Sequence, residues 1–95
     1  MPPMPDDEVA RRLAAELPHW RCRERGIERR VETRNWKSTI MLLNAIAYMA
    51  EAANHHPDLG ASYGHLDVRL STHDAGGVTE KDFALAQGIE ALLAM

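Results

Sequence analysis

The sequence lacks what disulfide bonding or membrane insertion would require. Cys22 is the single cysteine among 95 residues, so no disulfide can form within the chain, which favours a reducing compartment. No apolar run approaches the roughly 18 residues that a membrane helix needs. The N-terminus MPPMPDDEVA also lacks the basic and then apolar segments of a signal peptide. We therefore predict a cytoplasmic protein without membrane insertion.

The chain also has little excess charge of either sign. Its formal charge is −3, which gives no general attraction to nucleic acid. Basic residues do cluster in residues 19–37, but Glu24, Glu28 and Glu32 alternate with them and would repel backbone phosphates. A solvated strand face therefore explains these arginines better than a phosphate-binding ribbon, and we predict no nucleic-acid partner.

The length of the chain predicts one small domain. The proline-rich residues 1–5 are expected to be disordered, and residues 6–95 to form the domain. A chain of this size has a modest core, so we expect any deep ligand site at an edge or at a subunit interface. The wide apolar surface of the central helix and a sheet covered on one side predict a homodimer.

Hydrophobic spacing predicts two helices in the first half of the chain. Asp6 is the expected N-cap of the first, and Pro18 ends it. Asn35 is the expected N-cap of a long apolar helix that continues to about Ala53. Pro57 stops this helix, because the residue before a proline disfavours the α conformation.

Alternating residues predict the strands. Residues 20–24 and 27–33 are expected to form a hairpin around Gly26. Residues 65–72 alternate as a strand with one buried face. The glycines and the serine of residues 60–64 predict a loop, so the pattern yields only one strand after the central helix.

A third helix is predicted to begin close to a histidine. Thr79 and Asp82 have the spacing of a capping box, and the apolar positions after them continue to about Leu93. Asp82 would thus lie in the first turn, where the helix dipole favours a carboxylate. His73 ends the preceding strand, and a carboxylate close to it would fix its tautomer.

Four of the five histidines lie in residues 51–82. His55 and His56 precede Pro57 at the end of the central helix, where the dipole stabilises a protonated imidazole that can act as a general acid. Glu51 lies four residues before His55 and would share a face with it if the helix continued that far. These residues predict proton-transfer chemistry.

Other site chemistries find less support. His65 alternates with solvent-facing residues and is interpreted as an ordinary surface histidine. Adjacent histidines do not readily bind one metal ion together, and the chain has no second cysteine and no i, i+4 histidine pair on a helix. We therefore predict no metal site.

A longer motif surrounds the histidines: E-x-x-x-H-H-P-D-L, and downstream L-S-T-H-D-A-G-G-V-T-E-K-D-F-A-L-A. It resembles the signature of the pterin-4a-carbinolamine dehydratases, most strongly over residues 51–90. The resemblance implies an α+β fold in the order helix-strand-strand-helix-strand-strand-helix, with a four-stranded antiparallel sheet covered by helices on one face. A short strand near residues 61–63 would supply the strand that the spacing misses.

The resemblance also implies a reaction, the elimination of water from 4a-hydroxytetrahydropterin to give quinonoid dihydropterin. This would recycle the pterin cofactor of aromatic amino acid hydroxylation without a metal or redox cofactor. The catalytic residues it implies are His55, His56, His73 and Asp82, with His55 and His73 as the acid–base pair. The implied substrate-binding residues are Glu51, Pro57, Asp58 and Leu59.

The family's fold also has functions without catalysis, so an alternative stays open. By resemblance, the protein would then be an assembly factor for ribulose bisphosphate carboxylase in carboxysomes, or a dimerisation cofactor. The complete set of histidines favours the enzyme. Leu59 stands where many family members carry an aromatic residue, which implies a changed pocket wall and not a lost activity.

Overall fold

A computed structural model describes residues 2–95. In chain order the helices and strands are α1 (Asp6–Glu16), β1 (Arg21–Arg23), β2 (Gly26–Glu32), α2 (Trp36–Ala53), β3 (Asp58–Ser62), β4 (His65–Leu70) and α3 (Glu80–Leu93), with a 3-10 turn at His73–Ala75. The predicted α+β class and order of elements are therefore confirmed. Within residues 2–95, no helix is both long and apolar enough to cross a membrane.

The strands form one antiparallel sheet in the order β1-β2-β4-β3. The edge strand β3 begins at Asp58, three positions before the short strand expected near residues 61–63. Gly60 and Ser62, which predicted a loop, lie within β3 and pair with β4. Their low strand propensity is overridden by this pairing, because strand preference depends strongly on context.

Alternation along the strands separates an apolar face from a charged one. Leu66, Val68 and Leu70 of β4 are buried against the helices. On the other face, Arg30 of β2 donates to Asp67 of β4 at 2.8 Å. The helices contribute Val9, Leu13, Ile46, Ala50, Phe83, Ala86 and Ile89 to the same core, so they cover one face of the sheet, as the resemblance implied.

The hairpin between β1 and β2 turns at Glu24 and Arg25. Both have a positive φ, 49° and 62°, as the two central residues of a type I′ hairpin turn require. The expected turn residue, Gly26, instead begins β2, and a Cβ there would lie 2.8 Å from Cζ of Arg69 and displace this guanidinium. The Arg69 guanidinium donates to the carbonyl oxygen of Arg23 at 2.9 Å and so ties the turn to β4.

The helix caps follow the sequence with one exception. The Asn35 side chain accepts a hydrogen bond from the first turn of α2 at 2.9 Å, and Thr79 and Asp82 form the expected capping box of α3. In α1 the N-cap position is Pro5, without a side-chain hydrogen bond. Asp6 was expected as this cap but is the first helical residue, where its carboxylate still interacts favourably with the dipole.

Residues 2–5 approach the start of α3. The backbone N–H of Met4 donates to the carbonyl oxygen of Val78 at 2.8 Å, and the Met4 side chain packs against the core. The disorder expected for residues 1–5 stays a prediction. Met1 lies outside the described residues.

Glu28 on the charged face of the sheet gives the fold a dependence on pH. Its burial raises the pKa, but hydrogen bonds from Arg21 and Arg23 outweigh this effect and lower the pKa of Glu28 below its ordinary value. A carboxylate with a lowered pKa stabilises the fold above its unfolded-state pKa of about 4.3. This contribution disappears as the pH falls through the folded-state value.

We expect Glu28→Gln to lower the free energy of unfolding by about 1 kcal/mol near neutral pH. The difference from the wild type should shrink below about pH 4, where the wild-type carboxylate is protonated too. Urea unfolding at several pH values measures it. Glu32→Gln, on the same strand but exposed, is the control and should stay within about 0.5 kcal/mol of the wild type. A deficit of Glu28→Gln that does not change with pH would contradict this account.

Candidate active site

His55 is held by a carboxylate from another helix. α2 ends at Ala53, and Asn54 adopts the left-handed conformation with φ 51°. The chain therefore turns out of the helix before His55. Its Nε2 atom lies 2.6 Å from Oδ1 of Asp82, and the two side chains are 11% and 0% exposed. The result is a buried histidine–carboxylate pair between the end of α2 and the start of α3.

The carboxylate of Asp82 also uses its second oxygen. Oδ2 accepts a hydrogen bond from the Thr72 hydroxyl at 2.8 Å and another from the Thr79 backbone N–H at 2.9 Å. These donors offset the cost of burying a charge. The sequence pattern attached no function to Thr72, because its contact with Asp82 joins the end of the sheet to α3 across a turn.

His56 forms a second, more exposed pair. Its Nε2 atom lies 2.9 Å from Oε2 of Glu51, and the side chains are 58% and 81% exposed. Glu51 was expected to share a face with His55 if the helix continued that far, and this condition is not met because α2 ends at Ala53. The i, i+4 spacing would bring them together only in a continuing helix, whereas the left-handed Asn54 places the next histidine beside Glu51.

His73 lies on the 3-10 turn that follows Thr72, and it is exposed. Asp82 was considered as its carboxylate partner, but that carboxylate is bonded to His55 instead. His73 is thus joined to the pair through its neighbour Thr72, whose hydroxyl reaches Asp82. An exposed imidazole can exchange protons with a ligand at the surface.

The residues after the histidine pair lead directly into β3. Pro57 is half-buried and Asp58 is exposed, opposite Arg69 in the register of the sheet. Leu59 lies opposite Val68 and packs against the core. Contacts of Pro57, Asp58 and Leu59 with a substrate stay a prediction.

A largely apolar groove of about 490 Å³ lies between α2 and α3. Its lining includes His55, Lys81, Met49 and Gly88. A Cβ at Gly88 would lie 2.8 Å from Cε of Met49, so the glycine leaves room for the terminal methyl group of Met49. Sequence patterns did not single out Lys81 or Gly88; a glycine inside a helix was the available signal for a close approach.

Comparison with solved structures shows that this chain has the α+β fold of pterin dehydratases. It superimposes on the crystal structure of a transcriptional coactivator/pterin dehydratase from Brucella melitensis with a TM-score of 0.87 and 28% identity, covering 95% of this chain and 97% of the other. A pterin dehydratase-like protein identified as a RuBisCO assembly factor in the alpha-carboxysome gives a TM-score of 0.63 at 19% identity, over 77% and 84% of the chains. The second likeness shows the fold alone.

The sequence identifies the family. The model of the Pterin 4 alpha carbinolamine dehydratase family matches residues 2–92, so the chain belongs to that family. A protein of Aquifex aeolicus is 46% identical over 88 residues, which are 93% of this chain and 88% of the relative. One of Chloroflexus aurantiacus is 41% identical over 93 residues, or 98% and 99%. Both relatives are provisionally named pterin-4-alpha-carbinolamine dehydratase.

The two histidine–carboxylate pairs should differ strongly in energy. Asp82→Ala leaves the Thr72 hydroxyl, the Thr79 N–H and the His55 ring without their acceptor, and we expect it to lower the free energy of unfolding by about 3–5 kcal/mol. Glu51→Ala, which removes the exposed carboxylate, is the matched control and should change it by less than about 0.5 kcal/mol. Urea unfolding of both variants measures this difference. Equal losses in the free energy of unfolding would show that burial does not set the strength of these pairs.

Proposed function

We propose that the protein dehydrates 4a-hydroxytetrahydropterin to quinonoid dihydropterin by acid–base catalysis at His55 and His73. The observation that carries this proposal is the buried contact of 2.6 Å between His55 and Asp82. A carboxylate that accepts from one ring nitrogen fixes the orientation of the imidazole and the position of its proton. Membership of the family supports the substrate class, because the family is named after the dehydration of pterin-4a-carbinolamine.

The elimination needs two proton transfers, and the site offers two histidines for them. One group protonates the departing hydroxyl, and another accepts the proton that the pterin ring loses. His55 and His73 would perform these steps from neighbouring elements, the end of α2 and the turn before α3. His56, held by Glu51, would bind the substrate or help to protonate it. Pro57, Asp58 and Leu59 would contact it, and the product would return to the cofactor pool of an aromatic amino acid hydroxylase.

Stopped-flow measurement of dehydration tests the proposal. The wild type should accelerate the reaction over buffer, and His55→Ala and His73→Ala should each lower kcat about 10²–10⁴-fold, the usual contribution of a general acid or base. His65→Ala is the control, since His65 lies on the charged side of β4, 3.7 Å from Asp67, and should retain the wild-type rate. A wild-type rate equal to that in buffer would refute the proposed function.

The alternative expected from the sequence, a non-catalytic assembly factor for ribulose bisphosphate carboxylase or a dimerisation cofactor, stays a prediction. The solved assembly factor shares the fold at 19% identity. This likeness does not indicate a client protein for the present chain. A cytoplasmic location likewise stays a prediction.

Self-association is part of the proposal, because α2 exposes apolar side chains. Met41 and Tyr48 lie two turns apart on this helix and are 62% and 78% exposed, and exposed apolar surface of this kind marks interaction sites. We expect a homodimer or homotetramer in light scattering at micromolar concentration. Met41→Lys with Tyr48→Lys should shift the protein towards the monomer, and a monomeric wild type would contradict the expectation.

A further inference from the structure

A chain of hydrogen bonds runs from the backbone of α3 to Asp82. The Lys81 N–H donates to Oγ1 of Thr79 at 3.3 Å. The hydroxyl oxygens of Thr79 and Thr72 lie 2.7 Å apart, and the Thr72 hydroxyl is 2.8 Å from Oδ2 of Asp82. Thr72 and Thr79 are 8% and 2% exposed, so water competes little for these groups.

The groups at the two ends of this series of hydrogen bonds determine which hydroxyl donates at each step. A backbone N–H can only donate, and an ionised carboxylate can only accept. Thr72 donates its single hydroxyl proton to Asp82. In the contact between the two hydroxyls, Thr79 must therefore donate and Thr72 accept. The Thr79 N–H is a second donor to Oδ2. Both donors act on the same oxygen, which leaves Oδ1 facing His55.

We propose that Thr72 is a positioning residue: its hydroxyl holds the Asp82 carboxylate in the orientation in which Oδ1 accepts from His55, and this contact fixes the tautomer of the ring. Because Oδ1 of Asp82 accepts, the neutral His55 ring carries its proton on Nε2 and has its lone pair on Nδ1. In residues 2–95, Asp82 is the one hydrogen-bond partner of this ring, so Nδ1 is available to a ligand. The consequence for catalysis rests on the proposed function: His55 exchanges its proton with the pterin through Nδ1.

Nitrogen-15 NMR of the substrate-free protein tests the tautomer directly, since protonated and unprotonated ring nitrogens have well separated shifts. We expect the Nε2–H form of His55 in the wild type and in Thr72→Ser, which retains the hydroxyl. Thr72→Val preserves the shape but removes the donor to Oδ2, so the carboxylate can rotate and a second set of ring shifts should appear. An Nδ1–H ring in the wild type, or wild-type shifts in Thr72→Val, would overturn the proposal.

Kinetics separate positioning from general destabilisation. Thr72→Val should lower kcat about tenfold with KM nearly unchanged, because a misplaced acid–base group affects the chemical step. Thr72→Ser should restore most of kcat.

The matched control is Thr39→Val at the other end of α2. Thr39 is 0% exposed, and its hydroxyl lies 3.1 Å from the carbonyl oxygens of Asn35 and Tyr63, so its loss costs stability without touching the site. The control should keep the wild-type tautomer and kcat, and an equal fall of kcat in Thr39→Val and Thr72→Val would overturn the positioning role. A wild type without dehydratase activity would refute the proposed function alone, because the NMR shifts decide the tautomer independently.

Discussion

The buried carboxylate of Asp82 is the interaction on which the site depends. It caps α3 through the Thr79 N–H, holds the end of the sheet through Thr72 and binds the His55 ring beyond α2. A carboxylate that is 0% exposed would be costly to bury without donors. Each donor is therefore needed by the same buried group, and the helix start, the strand end and the histidine are linked energetically.

Exposure separates this pair from its neighbour in sequence. His55 and His56 are adjacent and each contacts a carboxylate oxygen, at 2.6 and 2.9 Å. The first pair is nearly enclosed, whereas in the second both side chains are more than half exposed. Solvent screens the exposed pair, which therefore contributes little stability, while the buried pair holds the His55 ring against Asp82. The proposed roles, proton transfer for His55 and contact with the substrate for His56, rest on this difference.

Much of the fold was predictable because its signals are local. The Asn35 cap, the capping box of Thr79 and Asp82, and the alternation of β4 each depend on residues a few positions apart. The edge strand β3 was not predictable from spacing, since its glycine and serine have low strand propensity and extend only because β4 pairs with them. The resemblance to a known family supplied the missing strand, though later along the chain than its actual start at Asp58.

The sequence by itself determined which groups are available for chemistry: the histidine pair before Pro57, His73 shortly after a strand and an acid in the first turn of α3. Only the tertiary structure decided which carboxylate each histidine received. Asn54 turns the chain by adopting a left-handed conformation, so His56 and not His55 meets Glu51. His55 then reaches Asp82, which is 27 positions away in sequence. Local spacing cannot encode this choice, because it depends on how the end of α2 packs against the start of α3.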